Sequence, residues 1–132
     1  MRDYFKKKKL IYVGAVAADS DLLIWPLWTV ENAIKITAIR LGTNTAIVAT
    51  DTDYQTLSIK NGTVVVATLA TGPNATGVAI AAGALGNFTL VEAAGANEVA
   101  AGSVLKLSAV LAGSGMALVA CSIEIDYYDY NA

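Results

Sequence analysis

Apolar and polar residues alternate along most of this chain, and that period of two constrains its fold more than any other feature. In "SVLKLSAVLA" (103–112) one parity holds Leu105, Leu107, Ala109 and Leu111, while the other includes Lys106 and Ser108. In "ALVACSIEIDY" (117–127) Ala117, Val119, Cys121, Ile123, Ile125 and Tyr127 face away from Ser122, Glu124 and Asp126. Successive side chains of a strand point to opposite faces, so each segment is predicted to be a strand with one face in a core. The intervening Gly113-Ser114-Gly115 predicts a hairpin between the two. Further strands are predicted near 9–17, 21–28, 33–41, 54–60, 63–70 and 86–92, with a weaker one near 77–81. Turn residues separate them at Ala18-Asp19-Ser20, Gly42-Thr43-Asn44, Gly72-Pro73-Asn74 and Gly95-Ala96-Asn97. "TVENAIKITAI" could open a helical turn, but its β-branched content favours a strand. About eight to nine short antiparallel strands predict one all-β domain, a β-sandwich or jelly roll, over residues 10–132.

The clearest hairpin is "DYQTLSIKNGTVVVATLA" (53–70), which alternates, turns on Asn61-Gly62 and alternates again. A two-residue turn there sets Ile59 opposite Val64 and Leu57 opposite Val66. Those four residues then form the core side. The other side collects Tyr54, Thr56, Ser58, Val65, Ala67 and Leu69, too apolar for free water and too polar for a deep core. A subunit interface through Tyr54, Val65 and Leu69 is the expected explanation.

Composition supports an assembly. Of 132 residues, 55% are hydrophobic and 15% charged, against about 25% charged in ordinary domains. So few charges cover a lone monomer poorly. The charges are also unevenly placed. Residues 1–9, "MRDYFKKKK", hold five basic groups (Arg2, Lys6, Lys7, Lys8 and Lys9) against Asp3, a net of +4. The other 123 residues hold four basic and ten acidic groups, a net of −6. A basic N-terminal arm on an acidic body predicts an electrostatic contact made by the arm. Four consecutive lysines repel one another, so the run is expected to be docked. "KKKKLIYVGAVAAD" imitates a secretory leader, but its apolar part is short and contains Tyr12 and Gly14, so cleavage is not expected. "LSAVLAGSGMALVACSI" is interrupted by Gly-Ser-Gly and alternates on each side, so two strands are expected rather than a membrane span.

Little in the chain points to catalysis. It has no His, the commonest general base and metal ligand, and one Cys, expected as a buried thiol. Asp51-Thr52-Asp53 lacks the further ligands of a calcium loop and is expected to cap a turn. The triplets beginning at Asn61, Asn74 and Asn87 match the glycosylation pattern by chance frequency. Lys106 and Ser108 share a face as any alternating strand requires, and "GSGMAL" lacks the Lys-Ser/Thr of a phosphate loop. No enzyme activity, cofactor or metal is expected. In "LLIWPLW" (22–28), Trp25 and Trp28 flank Pro26, which cannot donate to a ladder and marks a sheet edge or break. Tryptophans at an edge can anchor a partner.

Three segments resemble the small all-β decoration, or cement, proteins encoded beside tailed-bacteriophage capsid genes. They are "ITAIRLGTNTAIVATDTDYQTLSIKNGTVVVATLAT", "NFTLVEAAGANEVAAGSVLKLSAV" and "GSGMALVACSIEIDY", in that order over roughly three-quarters of the chain. The first 28 residues, with the lysine run and "IWPLW", have no counterpart in the resemblance. It implies a jelly-roll-like subunit, usually a homotrimer, on the outer capsid surface of the virion, bound to major capsid protein and not to nucleic acid or membrane. Its work would be to bridge neighbouring capsomers and stabilise the shell. From charge, Arg2 and Lys6 to Lys9 are expected to grip the shell, with Trp25 and Trp28 as further partner contacts. The alternative expectation is a virion fibre or adhesin module that reads a glycan or protein partner with Trp25, Trp28 and the Tyr127–Tyr130 cluster.

Overall fold

The computed structural model describes residues 6–14, 22–47, 52, 54–72, 77, 79–112 and 120–129. They form ten strands: β1 (Lys7–Val13), β2 (Leu22–Thr29), β3 (Ile34–Thr43), β4 (Tyr54–Asn61), β5 (Val64–Ala70), β6 (Leu85–Asn87), β7 (Thr89–Leu90), β8 (Glu98–Val99), β9 (Val104–Ala112) and β10 (Cys121–Asp129). The first sheet runs β1-β10-β3-β6, with β8 also on β3, and the second runs β2-β9-β4-β5-β7. All pairings are antiparallel. The expected all-β sandwich is the observed fold.

The wiring explains the layering. With the two-residue β7 and β8 set aside, the other eight strands pair first with last, second with seventh, third with sixth and fourth with fifth. A long hairpin rolled up on itself gives this nested order, the winding of a jelly roll. The hairpin predicted between β9 and β10 is therefore not formed. β9 lies between β2 and β4 in the second sheet, and β10 lies between β1 and β3 in the first. Alternation and a glycine-rich connection are the same whether a strand returns beside its neighbour or crosses to the other layer. The connection over 113–119 lies outside the described residues.

Alternation places the core where the sequence predicts. Ile34, Ile36, Ile39, Leu41, Ile123 and Ile125 from the first sheet meet Leu57, Ile59, Leu69, Leu105 and Leu107 from the second, all buried. The parity of β3 changes midway, from Ile34 and Ile36 to Ile39 and Leu41, because a bulge at Thr37 opposes the Asp126/Tyr127 step. The Thr37 hydroxyl donates to the Asp126 carbonyl, 3.3 Å away. Asn97, also buried, holds Ile36 on both sides. Its Nδ2 donates to the Ile36 carbonyl at 3.0 Å, and its own carbonyl accepts the Ile36 N–H at 2.9 Å.

The β4–β5 hairpin departs from the predicted register. Its turn is Gly62-Thr63, since Asn61 pairs with Val64, and Gly62 has φ +62° at the position where type II′ turns favour glycine. A bulge then slips the ladder, so Lys60 pairs with Val65 but Ile59 pairs with Ala67 and Leu57 with Leu69. A one-residue slip exchanges faces. Ala67 and Leu69 consequently join Leu57, Ile59 and Val66 in the core, while Val64, expected inside, is 47% exposed. Leu69 is 2% exposed and cannot serve the subunit interface expected of it.

Other predicted bounds also move. β1 begins at Lys7, so Lys7, Lys8 and Lys9 belong to the sheet rather than preceding it. The segment predicted as one strand over 86–92 divides into β6 in the first sheet and β7 in the second. Buried Phe88 makes the crossing, its N–H donating to the Ile39 carbonyl at 2.9 Å. Near 77–81 the described residues contribute one bridge, Ile47 to Ile80.

Candidate interaction surfaces

The basic run faces its own C-terminal strand. Lys7, Lys8 and Lys9 lie opposite Tyr127, Asp126 and Ile125. Lys7 Nζ is 2.6 Å from Asp129 Oδ2. Lys8 pairs with Glu124 and lies 4.0 Å from Asp126 Oδ1, which has no hydrogen-bond partner among the described residues. Arg40 approaches the same two carboxylates from β3, at 3.3 Å to Glu124 Oε1 and 2.7 Å to Asp126 Oδ2. This cluster follows from strand order, because β10 carries the acids between two strands that carry bases. The Arg40 hydrogen bond holds Asp126 below the usual carboxylate range against the opposing effect of burial, with Arg40, Lys8 and Lys6 charges assisting. The same hydrogen bond raises Arg40. Lys9, on the same side of β1 as Lys7 and opposite to Lys8, has its Nζ 5.7 Å from the centroid of the Trp28 ring. Among the expected contact residues, Lys6 is exposed and Arg2 lies outside the described residues.

Pro26 stands on β2, an edge strand, and the ladder is bulged between Pro26 and Trp28. The two tryptophans separate there. Trp28 packs on the core and on Tyr127 from the opposite sheet, with ring centroids 4.9 Å apart and planes at 56°. Trp25 is 37% exposed. Beside Trp28 a cleft of about 230 Å³ is lined by Lys7, Lys9, Asn32, Tyr127 and Asp129 among others. Tyr130 lies outside the described residues.

A larger open groove, about 550 Å³, crosses the end of the first sheet. Its floor includes Gly42 and Ser122, and its walls include exposed Tyr12 and Leu85. A Cβ at Gly42 would lie 2.8 Å from Leu85 Cδ2, so the glycine lets Leu85 settle on the sheet. Cys121 borders this groove but is buried, as expected, and burial pushes its thiol up to about 11.

The outward side of the second sheet carries Tyr54, Thr56, Ser58 and Lys60 of β4, Val65 and Thr68 of β5, and Lys106, Ser108 and Val110 of β9. Tyr54 and Val65, expected at a subunit interface, are half-buried on this side. Lys60 and Lys106 stand directly opposite each other in the ladder. No local pattern could have shown that opposition, because β4 and β9 lie far apart in sequence and their register is set by the rolled topology.

Among the described residues no group of three or more His, Cys, Asp or Glu is placed to hold a metal ion. No helix among them is long and apolar enough to cross a membrane. Asp51 and Asp53 lie outside the described residues. Compared with protein-family models, curated proteins and solved structures, the chain matches none.

Proposed function

We propose that the protein is a structural virion subunit of the phage decoration kind, seated on the outer surface of a capsid and stabilising the shell by bridging neighbouring capsomers. Its partners would be major capsid protein and further copies of itself, in a homotrimer. The observation that carries this reading is the nested jelly-roll order, the architecture that the sequence resemblance implies. Such a subunit adds contacts that exist only in the closed shell, so it stabilises the shell by mass action without chemistry. Mixing the purified protein with undecorated capsids, followed by sedimentation and cryo-electron microscopy, tests the reading. Ordered density on the shell and a raised disruption temperature are expected; a protein that never sediments with capsids rejects it.

The cleft beside Trp28 favours a second reading, a fibre or adhesin module. It gathers Trp28, Tyr127, Lys7, Lys9, Asn32 and Asp129, and an aromatic face beside clustered polar groups suits a sugar ring. A glycan array with Trp28→Ala and Trp25→Ala controls separates the two readings.

A further inference from the structure

We propose that the outward side of the second sheet is a docking surface for an acidic protein partner, with Lys60 and Lys106 as its charged anchor. The five strands of this sheet read LLIWPLWT, YQTLSIKN, VVVATLA, TL and VLKLSAVLA, with two lysines and no aspartate or glutamate. Among the described residues every strand-borne carboxylate is in the first sheet: Glu98, Glu124, Asp126 and Asp129. There Lys7, Lys8, Lys35 and Arg40 each have a carboxylate within 4.0 Å. Among the described residues Lys60 and Lys106 have none.

Their placement works against the isolated subunit. Directly opposed residues bring their Cβ atoms to about 4.5–5.5 Å, and like charges so placed are destabilising. The flanking ladder positions are Pro26 beside Lys106 and Val65 beside Lys60, which offer no counter-charge. The next row holds Ser58 and Thr68, half-buried hydroxyls that can donate to carboxylates and backbone carbonyls, with Ser108 buried beside them. A pair of carboxylates on a facing surface neutralises both lysines at once. Nucleic acid fits less well, since the row has no arginine to fork a phosphate and no aromatic ring to stack on a base.

The inference rests on the structural-subunit reading only for what the partner is; the charge argument is independent of it. The test measures fluorescence anisotropy of the full chain against labelled poly-L-glutamate and a length-matched single-stranded oligonucleotide, at 50 and 300 mM salt. Expected are binding to polyglutamate at low salt, weakening at high salt, and at least tenfold loss in the Lys60→Gln/Lys106→Gln variant. Lys35→Gln, which alters a lysine of the first sheet beside Glu98 instead, should stay within about twofold of the parent. Relief of like-charge repulsion should leave the double variant at least as heat-stable as the parent, so loss of binding is not loss of fold. Absence of polyglutamate binding, full binding by the double variant, or equal or tighter binding of the oligonucleotide overturns the inference. Polyglutamate binding without capsid binding rejects the decoration reading and leaves this surface standing, and the converse result does the reverse.

Discussion

Arg40→Met removes the guanidinium that joins β3 to β10 and keeps most of the apolar stem. Arg40 makes two charged hydrogen bonds, to Glu124 and Asp126. Such bonds contribute about 1.5–3 kcal/mol when sheltered, whereas fully exposed ion pairs contribute about 0.2–1 kcal/mol. The side chains are 25%, 12% and 19% exposed for Arg40, Glu124 and Asp126, between those limits. A total loss of about 2 kcal/mol follows. With an unfolding entropy of about 2.1 cal/mol/K per residue, that lowers Tm by about 7 °C for a chain this long. The loss also depends on pH. Because Arg40 holds Asp126 low in the folded protein, its stabilisation is complete above the unfolded carboxylate value of about 3.9 and disappears as pH falls through the lower folded value. Urea unfolding of parent and variant at pH 7, 5, 4 and 3 should therefore show a gap of about 2 kcal/mol that narrows only below about pH 4. A gap under about 0.3 kcal/mol at pH 7, or one unchanged down to pH 3, would refute the reasoning.

Three further outcomes are expected. Deleting residues 1–9 removes the first three of the seven residues of β1 and bares the hydrogen-bonding edge of β10 at Ile125–Tyr127; Tm should fall and light scattering should rise at moderate protein concentration, and an unaltered Tm would contradict the placement of β1. The Cys121 thiol, raised to about 11 by burial, should resist a thiol reagent at pH 8 until urea unfolds the protein, so free-cysteine labelling rates in native buffer would count against it. Ala94 has φ +55°, a conformation that costs a non-glycine residue about 1–2 kcal/mol; Ala94→Gly should raise the urea midpoint, by about 0.5–1 kcal/mol in stability after the entropy cost of glycine.

The sandwich was legible because alternation is local: Leu105, Leu107, Ile123 and Ile125 declare their buried side whatever their neighbours are. Partnership was not legible. Gly113-Ser114-Gly115 predicts a turn, but it cannot tell β10 to pair with β1 and β3 instead of β9. Bulges were equally hidden, and the one opposite Ile59 and Lys60 moved Leu69 from an expected interface into the core. The lysine run shows the same limit from the charge side. Counting charges marked residues 1–9 as unlike the rest, yet the carboxylates that meet Lys7 and Lys8 come from β10. Lys60 and Lys106 carried no local signal at all, because their significance depends on which strands touch.

The rolled winding also sets an order of events for a chain being made. The β4–β5 hairpin closes across a two-residue turn, whereas Val13 waits for Cys121 and Lys7 for Tyr127. Pairings that distant carry a high loop-closure entropy and form slowly. The central hairpin is thus the natural starting point, with pairing spreading outward to β1 and β10 last. During synthesis β1 has no ladder partner, and one edge of β3 stays unpaired, until β10 emerges. Slow release, or reduced supply of helpers that shield nascent chains, would leave those strands open to their counterparts on other chains.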